Sequence, residues 1–144
     1  MSCEVFEAAP NPDGNIGDFP SEVMLDGVET ICRTTVYITD DFTSVVSAYL
    51  LIVPTASGNL RWYCTTDFGQ VCADEEYNTH SDSVAPTTTA VTIDEIECLD
   101  ISGALAGLAA EDLVGVTFVR DGDDGLDTIG DSVHFLGVLI TICT

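Results

Sequence analysis

The densest group of side chains able to do chemistry lies in an acidic loop, Asp121-Gly122-Asp123-Asp124-Gly125-Leu126-Asp127. Carboxylates on a glycine-rich turn could bind Ca²⁺, which takes roughly six to eight oxygen ligands. The spacing lacks the order and the closing Glu of an EF-hand, so a solvated hairpin turn is preferred. We therefore predict no resident cofactor or metal. Calcium stays an alternative that an unchanged melting temperature in EDTA would exclude, with the candidate ligands Asp121, Asp123, Asp124 and Asp127.

A second candidate site is the aromatic segment Leu60-Arg61-Trp62-Tyr63. Sugar-binding β-sandwiches often stack a sugar ring on Trp or Tyr, so Arg61, Trp62 and Tyr63 form a candidate ligand platform. Alternate residues of a strand point to opposite faces, which separates Trp62 from Tyr63. One ring is therefore expected in the core or in a subunit contact, and we prefer this location to the platform.

Catalytic chemistry finds little support. His134 lies within an apolar stretch, where a buried histidine is the preferred interpretation. His80, Ser81 and Asp82 are sequence neighbours, whereas a catalytic triad is assembled by geometry. No nucleophile elbow, zinc-protease motif, P-loop or dinucleotide fingerprint occurs. We predict that the protein is not an enzyme and has no catalytic residues.

The six cysteines show no metal-binding spacing. No signal peptide is visible, so a reducing compartment and buried free thiols are expected. Disulfides formed after release from the cell remain the alternative, with Cys64 and Cys72 as the favoured local pair. The cysteines are Cys3, Cys32, Cys64, Cys72, Cys98 and Cys143.

Charge excludes two classes of partner. The 144 residues carry 25 Asp and Glu against three Arg and no Lys, a net charge of -22. Three scattered arginines cannot form the basic patch that nucleic acid or an anionic membrane requires. The longest apolar run, Ala48–Val53, is far too short to span a bilayer. At 46% hydrophobic residues, the chain is a folded domain rather than a disordered acidic tail.

The elements that must position these residues are β-strands. Turn signals recur about every ten residues between segments rich in Thr, Val and Ile, a pattern typical of a sandwich or barrel. We predict an all-β, jelly-roll-like antiparallel β-sandwich of about eight strands. The strands are placed at Val28–Thr39, Ser44–Pro54, Leu60–Thr66, Gln70–Tyr77, Thr88–Asp94, Glu97–Ile101, Leu113–Arg120 and Ser132–Thr144.

Two segments are expected outside the strands. Residues 1–20 contain three prolines and are predicted to form an extended N-terminal arm, ahead of a sandwich domain at 21–144. Ser81–Thr89 is predicted as a loop. Ser102–Asp112 has helical spacing interrupted by glycines, which favours a helical turn or compact loop.

Ser44–Pro54 and Ser132–Thr144 are apolar at both odd and even positions. A strand with one wet face should alternate, so both strands are expected to be covered on both faces. A neighbouring subunit is the favoured cover. Capping by the chain's own loops is the alternative.

The closing residues carry short motifs: Gly107-Leu108 followed by Asp112-Leu113, then Arg120-Asp121, Asp127-Thr128 and Leu136-Gly137-Val138. This series resembles the last segment of β-sandwich virion proteins of tailed bacteriophages, which include capsid decoration proteins and pieces of tail fibres or spikes. The chain departs from that pattern at Glu111, where glycine is common, and in its cysteines and acidity. The resemblance implies a structural role and transfers no catalytic residue.

We therefore expect a virion structural protein of the capsid decoration (cement) type. It would be made in the host cytoplasm and would bind the major capsid protein lattice on the outer surface of the virion as a homo-oligomer, preferably a trimer. A carbohydrate-binding module of a tail fibre or spike is one alternative, and a filament-forming surface protein is another. The expected contact residues are Phe6, Ile16, Phe19, Val133, Phe135 and Leu139.

Overall fold

A computed structural model describes residues 2–144. Within them a single 3-10 helix, Ser102–Leu105, forms where a helical turn or loop was predicted, and no helix is long and apolar enough to cross a bilayer. The strands are β1 (Ser2–Ala8), β2 (Gly14–Ile16), β3 (Phe19–Met24), β4 (Glu29–Tyr37), β5 (Ser44–Pro54), β6 (Gly58–Gln70), β7 (His80–Val91), β8 (Glu97–Asp100), β9 (Asp112–Asp121) and β10 (Val133–Cys143).

The strands pair as one long hairpin folded over on itself. β6 pairs with β7, β5 with β8, β4 with β9 and β3 with β10, all antiparallel. The first sheet has the order β2-β3-β10-β5-β8, with β1 also paired to β10, and the second sheet has the order β4-β9-β6-β7. The predicted all-β antiparallel sandwich is confirmed, and its nested pairing is that of a jelly roll.

The core lies between the two sheets and follows from strand alternation. In β4 the buried residues Cys32, Thr34 and Val36 alternate with exposed ones, as expected for a strand with one wet face. Aromatic rings fill the centre: Trp62 meets Phe118 edge-on at 6.0 Å, and Phe118 meets Phe135 at 5.4 Å. The Phe118–Phe135 contact joins the two sheets.

One predicted strand is wrong. Gln70–Tyr77 lies at the end of β6 and in the following turn, and β7 covers the whole of the predicted Ser81–Thr89 loop. Cys72 and Asp74 have φ angles of 57° and 58°, which an extended strand cannot accommodate. Pro86 is tolerated because β7 is an edge strand with a register shift opposite Tyr63.

The N-terminal segment is part of the first sheet rather than a separate arm. β1 pairs along β10 from Ser2 opposite Cys143 to Ala8 opposite Gly137, and β2 and β3 form a hairpin. Of the three prolines that suggested an arm, Pro10 and Pro12 fall between strands and Pro20 lies within β3. Met1, the first residue of the predicted arm, lies outside the described residues.

The two-sided apolarity of β10 and β5 comes from β-bulges. The register between β10 and β5 shifts at Leu136, so that Phe135 faces the core before the shift and Val138 faces it afterwards. A second shift leaves Val46 of β5 unpaired and 57% exposed. A bulge moves the following residues to the other face. The odd and even positions of β10 therefore share one core, and a covering subunit is not needed to explain them.

Candidate functional site

An apolar patch lies on the outer face of the first sheet. Phe6 pairs with Leu139, and Leu139 pairs with Tyr49, so the three side chains form a row across β1, β10 and β5. Leu51 lies one row away on the same face of β5. Phe6 is 52% exposed and the other three are half-buried. We call these four residues the Phe6 patch.

Glycine shapes the centre of this patch. A Cβ at Gly137 would lie 3.0 Å from a ring carbon of Phe6 and would overlap the carbonyl oxygen of Glu7. Its φ of 150° is also unfavourable for other residues. The Phe6 ring therefore lies over bare backbone, which fixes its position on the sheet. The row ends at Asp100 of β8, which pairs with Tyr49 of β5.

The predicted contact residues are divided between this surface, a hairpin and the core. Ile16 and Phe19 face each other in the β2–β3 hairpin, where Phe19 is 51% exposed. Val133 and Phe135 lie in the hydrophobic core and offer nothing to a partner. Their inclusion was wrong because the bulge at Leu136 puts the residues before it on the inner face.

The aromatic platform is divided by the sheet. Trp62 is 2% exposed, and its indole N–H donates to the Thr89 hydroxyl at 3.1 Å. A buried indole cannot stack on a sugar. Arg61 and Tyr63 are half-buried on the outer face, where Arg61 donates to the Thr88 hydroxyl at 3.1 Å. The three side chains therefore do not form a common ligand surface.

The acidic loop is organised by a buried arginine. Arg120 is fully buried and donates to both carboxylate oxygens of Asp127, at 3.1 and 3.0 Å. Its other N–H groups donate to the carbonyl oxygens of Met24, Asp131 and Ile129 at 2.8–3.0 Å. The guanidinium thus ties β9 to the end of β3 and to the loop before β10. The motif pieces Arg120-Asp121 and Asp127-Thr128 carry this ion pair.

The other loop carboxylates have local contacts. Asp124 accepts a hydrogen bond from the Leu126 amide at 2.8 Å. Desolvation, and then the Asp121 carboxylate, raises the pKa of Glu29 above its ordinary value. Within residues 2–144, no group of three or more His, Cys, Asp and Glu side chains is arranged to hold a metal. The calcium alternative stays a prediction.

Both histidines have structural neighbours. His134 Nδ1 lies 2.7 Å from the hydroxyl oxygen of Ser21, and both residues are buried. The His80 ring stacks on Phe68 with a centroid distance of 5.2 Å. Ser81 donates to Asp67 at 2.6 Å. The sequence neighbours His80, Ser81 and Asp82 therefore make no hydrogen bonds with one another of the kind a triad requires.

All six thiols are free in this structure. Cys32 and Cys64 are buried, and burial raises the pKa of both thiols, that of Cys64 to about 12. Cys72, which was paired with Cys64 in the disulfide alternative, is exposed on the turn. These buried thiols behave as small apolar side chains.

A second surface was not anticipated: a trough of about 900 Å³ on the outer face of the second sheet. Its walls are the turn at 71–77 and residues 7–11. The floor consists of two rows of paired residues, Arg33–Thr117–Thr65 and Thr35–Gly115–Asp67. Register alone brings these positions together, so local sequence gave no sign of them.

No protein-family model and no curated protein matches the chain. Among solved structures, it is similar to a chain of the T13 particle of infectious bursal disease virus, with a TM-score of 0.50 and 9% identity over 98% of this chain and 31% of that chain. The structure of the Gx strain of the same virus gives a TM-score of 0.49 and 11% identity over 98% and 32%. The coat protein of tobacco streak virus gives 0.34 and 10% over 99% and 86%.

The chain spans about a third of the length of the two infectious bursal disease virus chains. At these identities the likeness shows a shared fold alone. The structural neighbours come from virus particles and a viral coat protein.

Proposed function

We propose that this protein is a structural component of a virus particle that assembles through the Phe6 patch. In its specific form, the proposal is a capsid decoration protein that binds the major capsid protein lattice as a homotrimer on the outer surface of the virion. It would act mechanically, by burying surface between subunits, and would have no catalytic role. The observation that carries the proposal is the uncharged apolar row on the outer face of the first sheet.

The Phe6 patch has the character of a contact centre. The chain has 25 acids, yet Phe6, Leu139 and Tyr49 lie side by side without a carboxylate between them, and the row reaches one only at its end, at Asp100. Exposed apolar clusters with a polar rim are typical of protein contacts. A stable interface buries about 1,600 Å² in total, so these side chains would supply its centre and neighbouring loops its rim.

The charge supports a position outside a nucleic-acid-filled shell. An anionic protein gains nothing from contact with packaged nucleic acid and is repelled by it. The same charge keeps separate particles apart in solution. A fold shared with a chain of a virus particle agrees with this role without specifying it.

The oligomer is tested by size-exclusion chromatography with light scattering. We expect a closed trimer for the native chain and a monomer for Phe6→Ser, because serine replaces the aromatic ring at the centre of the contact with a small polar side chain. Leu126→Ser is the matched control, since Leu126 is 54% exposed but lies in the acidic loop. A native monomer at every concentration, or equal dissociation of both variants, would contradict assembly through the patch. Polymers would favour the filament alternative.

The location is tested with particles that lack this protein. Added native protein should bind them in a saturable way and appear by electron cryomicroscopy as density on the outer shell. The Phe6→Ser variant should bind less, and Leu126→Ser should bind as the native protein does. Density confined to tail fibres, or no binding at all, would refute the decoration role.

A further inference from the structure

We propose that the trough on the second sheet binds an uncharged oligosaccharide, with Arg33 and Asp67 as polar contacts and Tyr77 as a stacking wall. This site is separate from the Phe6 patch, which lies on the other sheet. The carbohydrate alternative based on Trp62 fails because that ring is buried. The trough is a different surface that could bind the same class of ligand, a carbohydrate.

The floor of the trough is flat and polar. Its two rows come from β4, β9 and β6 and hold mainly Thr and Gly, with Arg33 at one corner and Asp67 at another. Short side chains leave the pleated surface open to a ligand lying across the strands. Threonine hydroxyls both donate and accept hydrogen bonds, which matches a ligand made of hydroxyl groups.

One wall is fixed in place before any ligand arrives. A Cβ at Gly69 would overlap the carbonyl oxygen of Glu76, so the turn folds directly against β6. The main-chain N–H of Gln70 donates to the Glu75 carboxylate at 3.0 Å, and the main-chain N–H of Val71 donates to the Glu111 carbonyl oxygen at 3.0 Å. Such prior order lowers the entropy cost of binding. On this wall Tyr77 is 79% exposed.

Two charged groups on the floor have unused hydrogen-bonding capacity. Arg33 is exposed, and its guanidinium makes no hydrogen bond or ion pair with any residue in 2–144. One Asp67 oxygen accepts from Ser81 at 2.6 Å, while the other has no protein donor among the described residues. A donor and an acceptor on one floor suit the vicinal hydroxyls of a sugar, and an exposed tyrosine suits its apolar ring face.

The charge of the trough favours an uncharged oligosaccharide over an anionic one. Four carboxylates line the trough against one guanidinium, which disfavours sialylated, sulfated or phosphorylated chains. A basic peptide is the competing ligand, but Arg33 would repel it from the floor. The carboxylates are those of Glu7, Asp67, Glu75 and Glu76.

The test is an array that carries neutral oligosaccharides, sialylated and sulfated oligosaccharides, and an oligolysine probe. We expect the native chain to be retained by neutral oligosaccharides. Tyr77→Ser and Asp67→Asn should each weaken binding about tenfold or more, the loss expected for one stacking contact or one charged hydrogen bond. Arg61→Gln is the matched control, because Arg61 lies on the same sheet outside the trough.

Melting curves confirm that the variants are folded. Tyr77 lies on an exposed turn, so its variant should melt as the native chain does. Retention on neutral oligosaccharides, lost in both trough variants and kept in Arg61→Gln, supports the site. The proposal is overturned if the native chain binds none of them, binds only charged probes, or keeps its binding in both trough variants. Both trough variants leave the Phe6 patch intact and should therefore keep the oligomeric state of the native chain. Loss of glycan binding in these variants is thus distinguished from loss of assembly.

Discussion

Replacing Arg120 with methionine should destabilise the protein by at least about 3 to 5 kcal/mol. That is the usual cost of removing one partner from a buried ion pair. The Asp127 carboxylate, which has no exposed side-chain surface, would keep only the main-chain donors of Arg61 and Ile129 at 3.3 and 3.2 Å. Three carbonyl groups would lose a donor at the same time.

This cost is large for a domain of this size. At roughly 0.05 to 0.15 kcal/mol per residue, the whole chain should be stable by about 7 to 22 kcal/mol. Each kcal/mol is worth roughly 2 to 4 °C of melting temperature in a domain of about 150 residues. The Arg120→Met variant should therefore melt about 6 to 20 °C lower than the native chain.

The assay is urea unfolding at constant salt, followed by fluorescence. Trp62, the single tryptophan, is buried against Phe118 and reports directly on the core. Arg61→Met is the matched control. The Arg61–Asp124 pair is 3.9 Å long and partly exposed, so its loss should cost less than about 1 kcal/mol.

A double variant, Arg120→Met with Asp127→Leu, separates the charge from the other contacts. It should recover part of the loss, because no carboxylate is left buried without a partner. It should not recover all of it, since the three carbonyl groups stay without their donor. The reasoning fails if Arg120→Met costs no more than Arg61→Met does.

Three further predictions concern charge, strain and thiols. One net charge per roughly 320 Å² of the 6997 Å² surface gives a spacing of roughly 18 Å. The Debye length rises from about 3 Å in 1 M salt to about 30 Å in 0.01 M salt, so the repulsion between these charges is less screened in dilute salt. The melting temperature should therefore fall as the salt concentration is lowered, and a melting temperature that is independent of salt would contradict this. Glu111 has a φ of 66°, so Glu111→Gly should be more stable than Glu111→Ala by about 1 kcal/mol in urea unfolding; equal stabilities would exclude backbone strain there. Folding raises the pKa of Cys64 to about 12, so the protonated thiol contributes fully to stability below the unfolded pKa near 9, and this contribution is lost as the pH rises from about 9 to 12. Cys64→Ala should therefore make the free energy of unfolding fall less steeply with pH in this range. An unchanged pH dependence would refute the raised pKa of Cys64.

Alternation made much of the sandwich readable from the sequence. β5 has the predicted bounds, Ser44–Pro54, and β4 has its expected alternation. The segment after Gln70 was misread because Val71 and Tyr77 look strand-like by residue type. Nothing in those types shows that Cys72 and Asp74 adopt left-handed angles. Propensity describes how a residue fits a sheet, and tertiary contacts decide whether one is there.

The bulge in β10 explains why some of the candidate contact residues lie in the core. Phe135 and Leu136 are both apolar, and the sign in the sequence that β10 changes face is Gly137, a residue type that often marks a bulge inside a strand. The expected contact residues therefore combine Phe6 and Leu139, which lie on the outer face of the first sheet, with Val133, which is in the core. The trough was beyond reach for a related reason, because the row of Arg33, Thr117 and Thr65 depends on the register of three strands.

The nested pairing of the strands has a consequence for how the chain folds. Among the nested pairs, β6 and β7 have the shortest connection, residues 71–79, whereas Met24 of β3 must find Val133 of β10 across most of the chain. Loop-closure entropy favours the inner hairpin first, and each completed pair shortens the loop that the next must close. We expect slow folding from the middle outwards, with the apolar β10 recruited last. During that wait, mutual repulsion among the carboxylates would keep unfinished chains from aggregating.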